Sequence, residues 1–130
     1  MPASPGSVLI VDDDAAVRSA LKFVLEVEGL EVRLYHGGAA LLADRELPSR
    51  GCLVIDYAMP AMNGIQLADA LRDRRVTLPA ILITGKASAD LCERATRAGF
   101  AQVLEKPLSD AALIDGIRAA LATAAAPARA

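Results

Sequence analysis

The most constraining feature of the sequence is a regular alternation of short apolar runs with longer segments of helical period. Three runs, at residues 8–11, 53–55 and 80–83, are continuous and rich in branched side chains, which is typical of strands buried on both faces of a parallel sheet. Residues 31–35 alternate polar and apolar side chains, as an edge strand does, and residues 103–104 supply a short fifth strand. The alternation predicts an α/β domain with a doubly wound, five-stranded parallel sheet and helices on both faces.

The segments between the runs carry apolar residues at helical spacing. In the first of them the apolar stripe consists of Val17, Ala20, Leu21, Val24 and Leu25. Gly29 follows where a C-terminal cap would lie. Further helices are predicted over 38–46 and 64–74, and two more after the potential N-caps Ser88 and Ser109.

Size and composition exclude several classes of protein. A chain of 130 residues suits one domain, which we place at 7–122 with flexible ends at 1–6 and 123–130. Aromatic residues make up only 3%, tryptophan is absent, and the net charge is -2. These values argue against base-stacking platforms and against the basic footprint of a nucleic-acid-binding domain, so we expect no direct nucleic-acid partner.

Cysteine and histidine usage argues against disulfide frameworks, zinc sites and histidine-based catalysis. Cys52 and Cys92 form no paired motif, and His36, the single histidine, is expected in a loop. We interpret both cysteines as reduced core residues of a cytoplasmic protein. Residues 1–7 lack the features of a signal peptide, and the apolar run at 8–11 is too short to cross a membrane, so no membrane association is expected.

Polar residues end or follow the buried strands. In chain order they are Asp12, Asp13, Asp14, Asp56, Thr84, Glu105 and Lys106. Because the carboxyl ends of parallel strands share one edge of a sheet, we expect these side chains to converge there. Taken singly, each has a plain structural alternative: Asp13 or Asp14 can cap the next helix, and Thr84 and Lys106 can be turn or solvated residues.

Such a cluster has a defined chemistry. Neighbouring carboxylates repel one another and stay ionised together only beside a cation, and oxygen ligands suit Mg²⁺. A carboxylate beside that ion can attack a phosphoryl group, and the transfer depends mainly on charge neutralisation. Lys106 would add positive charge, Thr84 would donate a hydroxyl hydrogen bond, and Gly85 would leave room for the phosphoryl group.

Four stretches, at residues 8–14, 54–64, 81–85 and 105–107, together resemble the receiver domain of two-component response regulators. The most specific is Asp-Tyr-Ala-Met-Pro-Ala-Met-Asn-Gly within 54–64. The Thr-Gly and Glu-Lys-Pro segments are most similar to the FixJ-type branch, and the similarity extends over 7–121. The resemblance implies a CheY-like, flavodoxin-like fold with strand order 2-1-3-4-5.

The resemblance also implies a reaction. Asp56 would accept a phosphoryl group from a phosphohistidine on a histidine kinase or phosphotransfer protein, and the product would hydrolyse slowly. Thr84 would contact the phosphoryl group, and Lys106 would pair with one of its oxygens. The Lys106–Pro107 bond would be cis, as it usually is in this family. The protein would therefore be a phosphoprotein switch and not an enzyme that turns over a substrate.

The metal site implied by the resemblance uses the same edge. Asp12 and Asp13 would hold Mg²⁺ with Asp56, and the backbone carbonyl of Ala58 would be a further ligand. Asp14 stands where the family often has glutamate, and it is given no ligand role.

Two positions bear on how the switch would work. The family usually has an aromatic residue where this chain has Val103, so the usual coupling of an aromatic rotamer to Thr84 is unavailable. Lys86 lies where family members vary and can tune water access, although a solvated loop lysine is an equally plain interpretation.

We expect the output surface around the helix after Ser88, the fifth strand and the helix after Ser109. Because no DNA-binding segment follows Leu121 in these residues, the expected effector is another protein or another domain.

Two other classes of function remain open on the sequence. Asp12-Asp13-Asp14, followed by Thr84 and Lys106, also resembles a haloacid-dehalogenase-type phosphatase with Asp12 as nucleophile. That alternative leaves the Met-Pro-x-Met-x-Gly run after Asp56 unexplained. A receiver-like interaction module that is never phosphorylated is the third possibility; the absence of an aromatic residue at 103 slightly favours it, and the full set of acids with Thr84 and Lys106 argues against it.

Overall fold

The strands form one parallel sheet in the predicted order. A computed structural model describes residues 6–125 of the chain, with side chains through residue 122, so the predicted ends at 1–5 and 126–130 lie outside it. The strands are β1 (Ser7–Val11), β2 (Glu31–Tyr35), β3 (Gly51–Asp56), β4 (Ala80–Thr84) and β5 (Gln102–Glu105). Their order is β2-β1-β3-β4-β5 and all neighbouring pairs are parallel, which confirms the predicted fold class.

A helix follows each strand. The helices are α1 (Ala15–Val27), α2 (Gly38–Ala43), α3 (Gly64–Asp73), α4 (Ala89–Ala98) and α5 (Asp110–Ala125). Ser88 caps α4 as predicted, by accepting a hydrogen bond from the Leu91 N–H at 3.1 Å. Within residues 6–125, none of the helices has both the length and the apolar character that crossing a lipid bilayer requires.

Helix α2 is shorter than the predicted 38–46. It ends at Ala43 because Asp44 takes an extended conformation, with φ -76° and ψ 115°. The Asp44 carboxylate accepts hydrogen bonds from the Tyr35 hydroxyl at 2.5 Å and from the Glu46 N–H at 2.8 Å. These contacts compete with continuation of the helix, as short polar side chains commonly do.

Successive strand residues pack into two separate apolar layers. In β1, Val8 and Ile10 face the layer covered by α1 and α5, whereas Leu9 and Val11 face the layer covered by α2, α3 and α4. Strands β1, β3 and β4 are buried along their whole length, as the continuous apolar runs predicted. The sheet is therefore a rigid frame whose carboxyl edge carries the polar residues.

The predicted stripe of α1 is only partly correct. Leu21 and Leu25 are buried, Val17 and Val24 are half-buried, and Ala20 is exposed. Because α1 contacts the sheet along one side only, the positions at the margin of the stripe face solvent.

The two cysteines differ in their surroundings, although both carry free thiols. Cys52 lies in β3 and is buried, which raises the pKa of its thiol to about 12. Cys92 is half-buried on α4, beside the buried Leu91, so the prediction of two core cysteines holds only for Cys52.

Candidate functional site

Three buried polar side chains meet at the carboxyl edge of the sheet. Asp12 directly follows β1, Asp56 is the last residue of β3, and Thr84 is the last residue of β4. Their exposed fractions are only 3%, 4% and 5%, respectively. Lys106 follows β5 at the same edge. Since β1, β3, β4 and β5 are consecutive neighbours, the fold brings together residues that are far apart in the chain.

Three carboxylates form a tight cluster. One carboxylate oxygen from each of Asp12, Asp13 and Asp56 lies within 4.8 Å of the other two. The Lys106 Nζ atom is 3.1 Å from Asp56 Oδ1, and this contact is an ion pair. No hydrogen bond of standard geometry reaches that buried oxygen from the described residues. Glu105, which the sequence placed among the converging acids, is exposed and lies outside the cluster.

The backbone between β1 and α1 is fixed by short-range hydrogen bonds. The Asp12 N–H donates to the Tyr35 carbonyl at 3.1 Å, which extends the β1–β2 pairing by one residue. The Asp12 carboxylate accepts from the Asp14 N–H at 2.9 Å. Asp14 in turn caps α1, accepting from the N–H groups of Ala16 at 2.9 Å and Val17 at 3.3 Å. Asp14 is therefore the capping residue of the acidic run.

Burial and the charges of neighbouring acids raise the pKa values of Asp12 and Asp56. Burial raises the pKa of Asp56 above its ordinary value, and the negative charges of Asp12 and Asp13 raise it further, while Lys106 opposes the rise. Burial likewise raises the pKa of Asp12, against the opposing Asp14 N–H bond. Burial lowers the pKa of Lys106, but the neighbouring Asp56 outweighs this, so the net pKa is raised and the ammonium form is favoured.

The Thr84 hydroxyl is engaged by the loop that follows it. It donates to the Lys86 carbonyl and accepts from the Lys86 N–H, both at 3.2 Å. The Thr84 carbonyl accepts from the Lys106 N–H at 2.8 Å, which ties the ends of β4 and β5 together. A Cβ atom placed on Gly85 would meet nothing within 4 Å, so the loop is open as expected, and the Lys86 side chain is exposed.

The loop after Asp56 requires one glycine for close packing. A Cβ atom at Gly64 would lie 3.0 Å from the Asp56 carbonyl and 2.8 Å from Leu82, so only glycine fits without a shift. Asn63 and Gln66 form a reciprocal capping box that starts α3 at this glycine. The motif thus packs the start of α3 closely against the Asp56 backbone carbonyl.

Other predicted positions lie around the cluster. The Lys106–Pro107 bond is cis, as expected. Val103 is half-buried and packs against the apolar layer formed with α3 and α4. Ala58 is exposed in the loop after β3, and His36 is exposed after β2.

Sequence reasoning missed Arg18. Its guanidinium Nη1 donates to the Asp12 carbonyl at 2.7 Å from the first turn of α1. The linear sequence offers no signal for this contact, because it depends on how the loop turns into the helix.

Comparisons with known proteins agree with this geometry. Residues 8–118 match the family model described as response regulator receiver domain. The transcriptional regulatory protein FixJ of Azorhizobium caulinodans is 41% identical over 119 residues, which cover 91% of this chain and 56% of that protein. The transport regulator DctR of Rhodobacter capsulatus is 38% identical, over 89% of this chain and 60% of that protein.

Solved structures give the same result. The crystal structure of FixJ-N superimposes with a TM-score of 0.82 and 33% identity, covering 99% of this chain and 100% of that one. The CheY-like receiver domain from Methanospirillum hungatei has a TM-score of 0.82 and 28% identity, covering 92% and 95%. This chain spans little more than half the length of the curated relatives named above. The chain belongs to the response regulator receiver domain family and is of the FixJ type.

Proposed function

We propose that this receiver domain, placed at 7–122, takes a phosphoryl group from a partner phosphohistidine onto Asp56 and thereby switches a protein-interaction surface. The observation that carries the proposal is the setting of Asp56. Its carboxylate is buried beside two other acids, and its Oδ1 atom lies 3.1 Å from the Lys106 ammonium. A buried carboxylate crowded by other acids and paired with one cation has the environment of a reactive group.

The residues around Asp56 would divide the work of transfer. A carboxylate oxygen of Asp56 forms the new bond to phosphorus as the bond between phosphorus and the histidine nitrogen breaks, and the imidazole leaves. Lys106 offsets negative charge on the phosphoryl oxygens. The Thr84 hydroxyl donates to a phosphoryl oxygen once it turns away from the Lys86 carbonyl, its present acceptor.

The donor set fits Mg²⁺. Asp12, Asp13 and Asp56 offer oxygen ligands only, and one carboxylate oxygen of each lies within 4.8 Å of the other two, which is close enough to share one ion. The backbone carbonyl of Ala58 would complete the set contributed by the chain. When bound, the ion would supply charge neutralisation during transfer.

The switched surface is proposed to comprise α4, β5 and α5. Because residue 103 is valine, we place the moving part in the loop after Thr84, whose contacts with Lys86 must open when the hydroxyl turns. The partners would be a histidine kinase or phosphotransfer protein in the cytoplasm and a downstream effector. Two relatives are named as transcriptional regulatory proteins. The expectation that nucleic acid is not a partner is therefore unsupported for a longer protein that contains this chain.

The alternatives differ in their support. Family membership argues against the haloacid-dehalogenase-type phosphatase with Asp12 as nucleophile. A receiver-like module that is never phosphorylated is compatible with Val103, but the convergence of Asp56, Asp12, Asp13 and Lys106 favours phosphotransfer.

The test is labelling by a radioactive, phosphorylated histidine kinase in the presence of Mg²⁺. Asp56→Asn is expected to reduce incorporation to background, and label on the parent chain is expected to be removed by hydroxylamine, as an acyl phosphate is. Asp69→Asn, an exposed aspartate on α3, is the matched control and should label normally. Undiminished labelling of Asp56→Asn would contradict the acceptor assignment. A parent chain that takes no label from kinases or from acetyl phosphate would favour the interaction module.

A further inference from the structure

Arg18 lies beside the acidic run, at the end of α1 where the helix dipole by itself disfavours a cation. It occupies the first turn of α1, where the helix dipole favours negative charge. Its side chain is half-buried and turns back six residues to donate from Nη1 to the Asp12 carbonyl at 2.7 Å. That carbonyl belongs to the peptide group joining Asp12 to Asp13, so the contact fixes the orientation of this peptide.

Asp13 depends on that peptide more than Asp12 does. Asp12 is buried, its N–H donates to Tyr35, and its carboxylate accepts from the Asp14 N–H. Asp13 is exposed, whereas Asp12 is buried and held by these two hydrogen bonds. An Asp13 carboxylate oxygen nevertheless lies within 4.8 Å of oxygens of Asp12 and Asp56. The backbone therefore places Asp13 in the cluster, and the Arg18 contact is one of the hydrogen bonds that fix this backbone, beside the Asp14 N–H bond to Asp12.

We infer that Arg18 is a positioning residue for the acidic cluster, keeping the Asp13 carboxylate within reach of a divalent cation shared with Asp12 and Asp56. The inference rests on the proposed function, because it assumes that the cluster binds Mg²⁺. Groups that orient metal ligands from outside the coordination sphere commonly change metal affinity by 10- to 100-fold when removed.

The sign of the effect separates positioning from simple electrostatics. Replacing Arg18 by methionine removes a positive charge near a cation site, so electrostatics alone would leave Mg²⁺ affinity unchanged or raise it. Loss of positioning would lower it. The measurement is Mg²⁺ affinity of the full chain by NMR chemical-shift titration, with the free energy of unfolding measured separately in EDTA.

Arg18→Met is expected to weaken Mg²⁺ binding about tenfold. Lys22→Met is the matched control, because Lys22 is a cation on the same helix that pairs with Glu26 at 3.3 Å, and the Mg²⁺ affinity of this variant should differ from that of the parent by less than twofold. Arg18→Lys keeps the charge but loses the planar fork, so it should also bind more weakly than the parent. This variant decides the question if the methionine variant fails to fold.

The outcomes separate the two proposals. Parent-like Mg²⁺ affinity in the folded Arg18 variants would overturn the positioning role alone. A parent chain that binds no Mg²⁺ would contradict the metal site of the proposed function and, with it, this inference. Lower unfolding free energy with unchanged Mg²⁺ affinity would show that Arg18 is merely structural.

Discussion

Polar groups have opposite environments at the two edges of the sheet. At the carboxyl edge, Asp12 and Asp56 are buried together, and burial raises both of their pKa values. At the other edge, arginines from neighbouring helices donate to the last carbonyls of three helices. These contacts are Arg118 to Glu28 after α1 (3.2 Å), Arg74 to Leu42 in α2 (2.7 Å) and Arg72 to Arg97 in α4 (3.2 Å).

The two sets of contacts are expected to affect the free energy of unfolding in opposite directions. Helix C-termini carry unsatisfied carbonyls and partial negative charge, so a guanidinium from the adjacent helix satisfies both. The acidic edge leaves like charges close together, which costs stability unless a cation or a proton is present. Active sites commonly retain such unfavourable arrangements because function requires them. The arginine contacts at one edge therefore satisfy helix carbonyls, whereas the acidic edge leaves like charges close together.

The largest expected effect comes from removing the ammonium at the acidic edge. Lys106→Met should slow phosphorylation by acetyl phosphate about a hundredfold, the usual loss for one charge-stabilising donor. The rate of acyl phosphate formation measures it. Lys86→Met, a nearby exposed lysine, should change the rate less than threefold. An equal loss in both variants would show that local positive charge, and not the Asp56 contact, is what matters.

Removing an arginine contact at the opposite edge should lower the free energy of unfolding. Arg74→Gln should lower the free energy of unfolding by about 1.5 kcal/mol, the low end for hydrogen bonds to charged groups, because Leu42 loses its donor. Urea denaturation gives the value. Arg75→Gln should stay within about 0.5 kcal/mol, as exposed substitutions usually do. No loss in Arg74→Gln would remove the structural role of this edge.

Neutralising one acid should stabilise the metal-free protein. Asp12→Asn should raise the free energy of unfolding by about 1 kcal/mol near neutral pH in EDTA, because it removes one of the like charges in the cluster. Because the pKa of Asp12 is raised in the folded state, its stabilising contribution is complete below its ordinary pKa and lost as pH rises through the raised value. The advantage of Asp12→Asn should therefore grow with pH in thermal unfolding.

The control for that variant is Asp14→Asn in the same loop. Asparagine caps a helix about as well as aspartate, so this change should move stability by no more than about 0.5 kcal/mol. A pH-independent or negative effect of Asp12→Asn would contradict the view that the acidic edge is destabilising.

The smallest effect concerns backbone strain beside the acidic edge. Ala61, in the loop after Asp56, has φ 69°, a conformation that suits glycine. Ala61→Gly should stabilise the protein by about 0.5 kcal/mol, since relief of strain exceeds the added entropy of the unfolded chain. Ala58→Gly, whose φ is not positive, should destabilise it by a similar amount. Calorimetry of both variants would decide, and equal shifts of one sign would exclude the strain argument.

Sequence periodicity predicted the strands better than the helices. Continuous apolar runs marked β1, β3 and β4 because both faces of each strand are buried. The end of α2 could not be predicted, since it depends on a hydrogen bond from Tyr35, nine residues away, to Asp44. Likewise, Glu105 is exposed although it ends a strand, because β5 lies at the edge of the sheet.

Local periodicity and the motifs were enough to predict the sheet, its helical layers and the polar residues at or directly after the strand ends, which are Asp12, Asp13, Asp56, Thr84 and Lys106. The distances within the site came from the folded chain: which acids share a cluster, where Lys106 Nζ lies, and that Arg18 reaches the Asp12 carbonyl. Such contacts join residues through packing and loop geometry, which a linear pattern does not encode. The same holds for the arginines that cap neighbouring helices at the opposite edge.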